Sequence, residues 1–332
     1  MSNHNQLSNL AFLVTGGAGF IGSNLVEYLL QNGAKKVVVL DNLSTGYLKN
    51  IEAYLSNVNF EFIEGDIRDE ETCDRACKNI DVVFHEAALG SVPRSIEDPI
   101  TSNEVNISGF VKVLCAAKNN NVKRIVYAAS SSTYGDSQTL PKFEDDIGKP
   151  LSPYAITKYV NELYADIFAR LYNMEIIGLR YFNVFGRRQD PDGAYAAVIP
   201  KFVQQFLAHE SPVINGDGSF SRDFTYIENV VQMNMLAALT TNKMALNQVY
   251  NTAYGDRVDL NQMTALLREY LSEFDSDIKD IQIKHGPERE GDIAHSLASI
   301  DKAKKLLDYQ PKFNFKKGLK KAVNWYWDNL KK

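Results

Sequence analysis

The chain has 332 residues, a formal net charge of −5 and 45% hydrophobic residues. That length accommodates two domains or one two-lobed unit, and the negative balance argues against nucleic acid or an anionic membrane as the main partner. Three cysteines in so long a chain suggest a reducing compartment, residues 1–9 lack the apolar core of a leader, and no apolar run reaches membrane-spanning length, so a cytoplasmic protein is expected.

The apolar run at 11–15 predicts a buried strand, followed by Gly16, Gly19 and Gly22 and a helix to about Gln31. Glycines spaced three and three between strand and helix let the backbone approach a pyrophosphate held at the helix N-terminus. A second strand at 36–40 ends at Asp41. An acid there takes both ribose hydroxyls and repels a 2′-phosphate, which selects NAD over NADP. Further strands are expected at 60–64, 81–85, 124–129 and 175–180, with helices at 70–78 and 99–120 between them. The third strand leads to Asp66 and Ile67, and the fourth closes on the small residues Ala87 and Ala88, which leave room for a flat cofactor ring or for close helix packing. Cys73 and Cys77, at helical spacing, read as packing. Strands separated by helices at this pitch indicate an α/β fold, a Rossmann-type doubly wound parallel sheet. Ligands in such sheets bind beyond the carboxyl ends of the strands.

Ser130, Ser131 and Ser132 stand at the carboxyl end of the fifth strand. A hydroxyl there faces the cofactor crevice, although serines also favour plain turns. Ser152-Pro153 then starts a helix to about Tyr172, because proline fits the first helical position. Tyr154 and Lys158 are one turn apart on its face. A free phenol titrates near pH 10, and lowering it by about three units takes about 4 kcal/mol. An ammonium about 4–5 Å away supplies roughly that much at an effective dielectric near 20. The pair therefore makes a phenolate base, or a core tyrosine beside a solvated lysine. In the second half, helices are expected at 198–208, 226–239, 260–274, 300–307 and 319–330, and short strands at 212–216 and 249–251. The five histidines show no ligand spacing, so no metal site is expected.

Thr15-Gly16-x-x-Gly19-x-x-Gly22, the serine cluster and Tyr154-x-x-x-Lys158 in this order resemble the extended short-chain dehydrogenase/reductase family. The segments Arg180 to Gly186 and Gly218 to Phe224 look like its nucleotide-sugar epimerase branch, and Gly90 to Ser95 with Gly193 to Pro200 look like bacterial UDP-N-acetylhexosamine 4-epimerases. The resemblance implies an NAD-binding domain over 1–183, joined by about 225–255, and a smaller α/β substrate-binding lobe over 184–224 and 256–332. It implies catalysis by Tyr154, Lys158 and Ser130. Around NAD it places Gly16, Gly19, Phe20, Ile21 and Gly22, then Asp41, Asn42, Ser44, Thr45 and Gly46, then Asp66, Ile67, Ala87, Ala88 and Asn106, with Tyr154, Lys158, Tyr181 and Val184. Around a UDP-sugar it places Gly90, Ser91, Arg94, Ser131, Ser132, Tyr154 and Asn183 on one side, and Ala197, Val198, Lys201, Asn215, Arg222, Arg289, Asp292 and Ser296 on the other. Arg222 and Arg289 would clamp the diphosphate, unless they pair with the adjacent Asp223 and Glu290. Ser296 stands where relatives restricted to UDP-glucose and UDP-galactose carry a tyrosine. The resemblance implies C4 epimerisation of UDP-N-acetylglucosamine and UDP-N-acetylgalactosamine, or of their uronic acids, by a homodimer. A UDP-glucose or UDP-glucuronate 4-epimerase shares the same residues, and a non-catalytic NAD sensor would need only the first half of them.

Overall fold

The computed structural model describes residues 6–192, 196–288 and 293–331. Strands β1 (Ala11–Thr15), β2 (Lys36–Asp41), β3 (Phe60–Glu64), β4 (Val82–His85), β5 (Arg124–Ser130) and β6 (Glu175–Tyr181) form one parallel sheet with Val249–Thr252 at its far edge. The order is Val249–Thr252, β6, β5, β4, β1, β2, β3. Alternation along each strand builds two cores. Phe12, Val14, Val37, Val39, Phe84, Val126 and Ile177 face the helices Phe20–Gln31 and Ile227–Leu239. Leu13, Val38, Leu40, Val83, Ile125 and Ile176 face the helices Glu70–Ala76, Phe110–Asn119 and Pro153–Tyr172. The strand order reverses between β1 and β4, which run parallel, so their carboxyl ends open a crevice there.

A third core lies beyond that crevice. Helices Val198–Leu207, Leu260–Ser272 and Phe315–Leu330 bury Phe202, Phe206, Leu267, Leu319 and Tyr326 around Phe185 and Phe224. Its strands are only two or three residues long: Ser221–Arg222 runs antiparallel to Val258–Asp259, and Val213–Asn215 runs parallel to Lys284–Gly286.

Two features of the sequence reading change. The single helix expected at 99–120 is Pro99–Asn103 and Phe110–Asn119, joined by a π-helical turn over Glu104–Gly109. The wider turn seats Asn106 fully inside the protein, and π turns of this kind cluster at functional sites. Val92–Glu97 is also a helix, started by Ser91, whose side chain accepts the Arg94 N–H at 3.2 Å.

The helix Pro153–Tyr172 is fixed to the sheet from beneath. Arg180 on β6 donates from Nε and Nη2 to Glu162 at 2.8 and 2.7 Å and from Nη1 to the Glu144 carbonyl at 2.8 Å. Its guanidinium lies 4.8 Å from the Tyr134 ring centroid. A bidentate pair of this geometry sets the rotation of the helix as well as its position, and so aims Lys158 and Tyr154, one and two turns upstream of Glu162, at the crevice.

Candidate active site

A cleft of about 560 Å³ opens over the carboxyl ends of β1, β2, β4 and β5. Its floor is the glycine turn. Gly16 has φ +68°, and a Cβ on it would lie 2.7 Å from the Ala87 nitrogen. A Cβ on Gly22 would lie 2.2 Å from the Gly16 carbonyl oxygen. The helix Phe20–Gln31 begins at Gly19 with no side-chain cap, so its N-terminal dipole faces the cleft unscreened by a side chain. Asp41 is oriented by the Ala18 N–H at 2.9 Å and the Leu43 N–H at 2.8 Å. Burial raises its carboxyl, and those two bonds oppose the rise. At the rim, Asn42 donates to Asp66 at 2.9 Å, and Arg68 holds the Asp66 carboxyl down to about 2.

The opposite wall carries Tyr154 and Lys158. Ser152 caps the helix by accepting the Ala155 N–H at 3.1 Å, and Pro153 opens its first turn. The Tyr154 N–H donates to Ser95 at 3.0 Å, which ties this helix to Val92–Glu97. The Tyr154 phenol lies beside Ser130, which favours its anion, and Ser130 Oγ accepts from Ser132 Oγ at 2.8 Å. Lys158 is 3% exposed; its Nζ donates to the Ala128 carbonyl at 2.8 Å and lies 6.0 Å from the Tyr154 ring centroid. The expectation of a phenol lowered by the lysine is therefore corrected. Burial dominates and raises the Tyr154 phenol, with Ser130 opposing it, and burial pushes Lys158 down to about 8. The cause is a dry wall in which the ammonium is committed to a carbonyl rather than to the phenol.

A family model described as "NAD dependent epimerase/dehydratase family" matches residues 12–253. The chain belongs to this family. It is an enzyme, an isomerase whose cofactor is NAD, and this removes the sensor reading. A UDP-N-acetylglucosamine 4-epimerase from Methanobrevibacter ruminantium, solved with UDP-N-acetylmuramic acid, is 39% identical, with 96% of this chain and 98% of that one covered at a TM-score of 0.88. A UDP-glucose 4-epimerase from Thermotoga maritima, solved with UDP-glucose, is 37% identical over 97% and 100% of the two chains, also at 0.88. A UDP-glucuronate 4-epimerase from Thermodesulfobacterium geofontis is 32% identical over 96% of this chain and 97% of its own.

The residues of this isomerase fit NAD: two glycines where any Cβ would collide, an uncapped helix start, and an acid poised at the end of β2. Of the residues expected around NAD, all but Asn106 line the cleft. Asn106 instead lies behind its wall. It accepts from the Leu89 N–H at 2.8 Å and donates to the Leu89 carbonyl at 3.1 Å and to Thr157 at 3.2 Å. Among the expected sugar-side residues, Gly90, Ser91, Tyr154 and Asn183 line the cleft, as does Ser130, whereas Arg94, Ser131 and Ser132 stand beside it. Ala197, Val198, Lys201 and Asn215 belong to the outer lobe, at the start of Val198–Leu207 and the end of Val213–Asn215. Arg222 and Ser296 come together: Arg222 Nη1 donates to the Ser221 and Ala294 carbonyls at 3.1 Å, and the Ser296 N–H donates to the Ser221 carbonyl at 3.0 Å. Asp223 is no partner for Arg222, since its buried carboxylate accepts the N–H groups of Tyr254, Gly255 and Ala298. Arg289, Glu290 and Asp292 lie outside the described residues, as do Gly193 to Tyr195. The sequence reading missed Leu40, Gly65, Glu86, Leu89, Val105, Ala128 and Ala129, which also line the cleft. For Glu86 the signal was available: like Asp41, it is an acid just past the end of a buried strand.

Proposed function

We propose that the protein interconverts UDP-N-acetylglucosamine and UDP-N-acetylgalactosamine, or their uronic acids, at C4 through a 4-keto sugar. The observation that carries this reading is the Tyr154–Ser130 hydroxyl pair above a glycine-floored cleft, with Lys158 behind it. Ser130 bonds the 4-hydroxyl of the sugar, and Tyr154 takes its proton through that shared contact. Lys158, held on the Ala128 carbonyl, meets the cofactor ribose. NAD, when bound, supplies the acceptor for the hydride and later its donor. The ketone turns over while the nucleotide stays anchored, and Tyr154 returns the proton on the other face. Arg222, anchored through Nη1, holds the diphosphate, with Arg289 as its partner, and arginine suits this because its fork matches two phosphate oxygens. Asn183, Val198 and Asn215 lie along the uridine.

The N-acetyl preference rests on Ser296, a small half-buried residue on the segment beside Arg222, and on the likeness to a UDP-N-acetylglucosamine 4-epimerase. The likeness to UDP-glucose and UDP-glucuronate 4-epimerases supports the second reading, in which the acetyl group is not required. The test is a panel of UDP-GlcNAc, UDP-Glc and their uronic acids, with C4 configuration read by NMR. Conversion of UDP-GlcNAc to its C4 epimer is expected; turnover of UDP-Glc alone would overturn the acetyl reading, and no turnover of any UDP-sugar would overturn the whole.

We further propose that 1–183 with about 225–255 forms the NAD-binding domain, and 184–224 with 256–332 the sugar lobe. The place of Val249–Thr252 in the main sheet supports this division. A cytoplasmic homodimer is the proposed assembly. Ile100, Ile156, Leu163 and Leu171 are exposed on the helices Pro99–Asn103 and Pro153–Tyr172, an apolar face suited to a second copy. Among the described residues, no helix is long and apolar enough to cross a membrane.

A further inference from the structure

Glu86 has no part in the scheme above, yet it lines the cleft with Tyr154, Lys158 and Tyr181. Its Oε1 accepts the Tyr181 hydroxyl at 2.8 Å, and that hydroxyl accepts from Asn234 Nδ2 at 2.9 Å. Its Oε2 is closed to solvent and has no hydrogen-bond partner among the described residues. A carboxylate oxygen left so is costly, and an apolar side chain would fill the place without that cost. Lys158 acts on Glu86 electrostatically, but its Nζ is held on the Ala128 carbonyl and does not close on the carboxylate. A second cation is due in the same place. The base takes the proton from the oxygen, and the acceptor the hydride from the carbon, of one carbinol, so the reacting end of NAD has to come to Tyr154, in the part of the cleft that Glu86 and Lys158 line.

We propose that the Glu86 carboxylate is the counter-charge of the oxidised nicotinamide, holding the bound cofactor toward NAD⁺. This rests on the reading of Tyr154 and Lys158 as the reacting pair. Taking up hydride removes the positive charge of the ring, so a neighbouring carboxylate stabilises the oxidised form over the reduced one and lowers the potential of the couple. An isomerase that must give its hydride back gains from this: the enzyme returns to the oxidised state that starts the next cycle.

The charge is conditional on pH. Burial pushes Glu86 up to about 7, with the Tyr181 bond and Lys158 pulling the other way. The titratable groups around it are Lys158 and Tyr154 from Pro153–Tyr172, Tyr181 from β6 and His85 from β4. Burial pushes His85 down to about 3, so it stays neutral, Lys158 titrates near 8, and both tyrosines are raised. Below 7, Glu86 is thus the group whose charge changes, and bound NAD⁺ lowers its titration further.

The test uses purified holoenzyme, wild type, Glu86→Gln and Glu86→Asp, equilibrated with a redox dye at fixed potential, with bound NADH read at 340 nm. Glutamine keeps the shape and the Tyr181 bond. At pH 8 the NADH to NAD⁺ ratio should be about tenfold higher in Glu86→Gln, about 30 mV for a two-electron couple, with Glu86→Asp within about threefold of wild type. The gap should narrow as pH falls from 8 to 5. Should Glu86→Gln shed its cofactor, the ratio of its affinities for added NADH and NAD⁺ reads the same quantity. Equal ratios at pH 8, or a gap that does not change with pH, would overturn the proposal. No sugar enters the measurement, so its failure leaves the epimerase reading standing.

Discussion

Asn106→Ala tests whether the cleft wall and the catalytic helix are held by one side chain. Asn106 is 1% exposed and makes three bonds, two to the Leu89 backbone and one to Thr157, whose hydroxyl in turn donates to the Tyr154 carbonyl at 2.8 Å. Alanine leaves the Leu89 N–H and C=O without that partner. An unsatisfied buried group costs about 1–3 kcal/mol; Leu89 is only half-buried, so water replaces part of each bond and the loss should be about 2 kcal/mol. At about 2 °C per kcal/mol, the low end of the range because the chain is long, the melting temperature should fall by about 4 °C. The same change frees the wall at Leu89 to Ser91 and the first turn carrying Tyr154, and a misplacement of that kind is expected to lower kcat by about tenfold, within the hundredfold such shifts reach. Thr157→Val is the control. It breaks the link to the helix and keeps both Leu89 bonds, so it should lower kcat with a smaller fall in melting temperature. Differential scanning fluorimetry and steady-state kinetics on the two variants suffice. An Asn106→Ala enzyme with unchanged melting temperature and kcat would refute the coupling.

Tyr154→Phe should lower kcat by about 10²–10⁴, the usual loss for a positioned acid–base group, with an unchanged circular dichroism spectrum; near-normal turnover would show that another group moves the proton. Ser296→Tyr should oppose the acetyl group by overpacking, at about 1–3 kcal/mol, so kcat/KM for UDP-GlcNAc falls about tenfold to a hundredfold while UDP-Glc is spared; equal losses on the two sugars would mean that Ser296 does not gate the acetyl group. His85 gives stability a pH dependence. Its folded value lies near 3, below the ordinary 6.5, so the unfolded state binds the extra proton: the contribution is complete above 6.5 and is lost as pH falls toward 3. Between pH 6.5 and 5 this amounts to about 2 kcal/mol, and urea denaturation of His85→Gln should lack that part of the slope; parallel curves for the two proteins would reject the assignment.

The features legible in the sequence are those whose chemistry is local. Gly16, Gly19 and Gly22 sit within one turn, Asp41 ends an unmistakable strand, and Tyr154 and Lys158 are one helical turn apart. The regular succession of apolar strands and helices indicated the doubly wound sheet, whereas the face each apolar residue takes, Leu13, Val38 and Val83 against Phe12, Val39 and Phe84, is seen only in the fold. What stayed hidden depends on partners far along the chain. Asn106 read as a cofactor contact because nothing nearby announces Leu89, 17 residues before it, or Thr157, 51 after it. The pairing of Glu86 with Tyr181 was hidden in the same way, the two being 95 residues apart. The π turn over Glu104–Gly109 has no residue signature of its own; it is imposed by packing, with Gly109 lying where a Cβ would come 2.7 Å from Ile67 Cδ1. The lysine's effect on the phenol was misread for a related reason, since helical spacing gives the shared face but not the carbonyl of Ala128 that claims the ammonium.

The two sides of the cleft are held by different means, and the difference suits the proposed chemistry. On the cofactor side, backbone meets backbone: Gly22 against Gly16, Gly16 against Ala87, Gly46 against Ala18, each too close for one more carbon. Such contacts leave little freedom to move, because any shift meets the sheet itself. On the sugar side, Arg222 and Ser296 hang on two-residue strands and an isolated bridge between Ser221 and His295. Short pairings of that kind carry few hydrogen bonds and open at low cost. A ketone that must present both faces to one fixed ring needs its nucleotide gripped and its hexose free to swing. In that proposal the grip would fall to the sheet side, and the freedom to the thinly paired strands that carry Arg222 and Ser296. Lengthening those pairings would therefore be expected to trap the sugar in one orientation and slow the return of hydride to the opposite face.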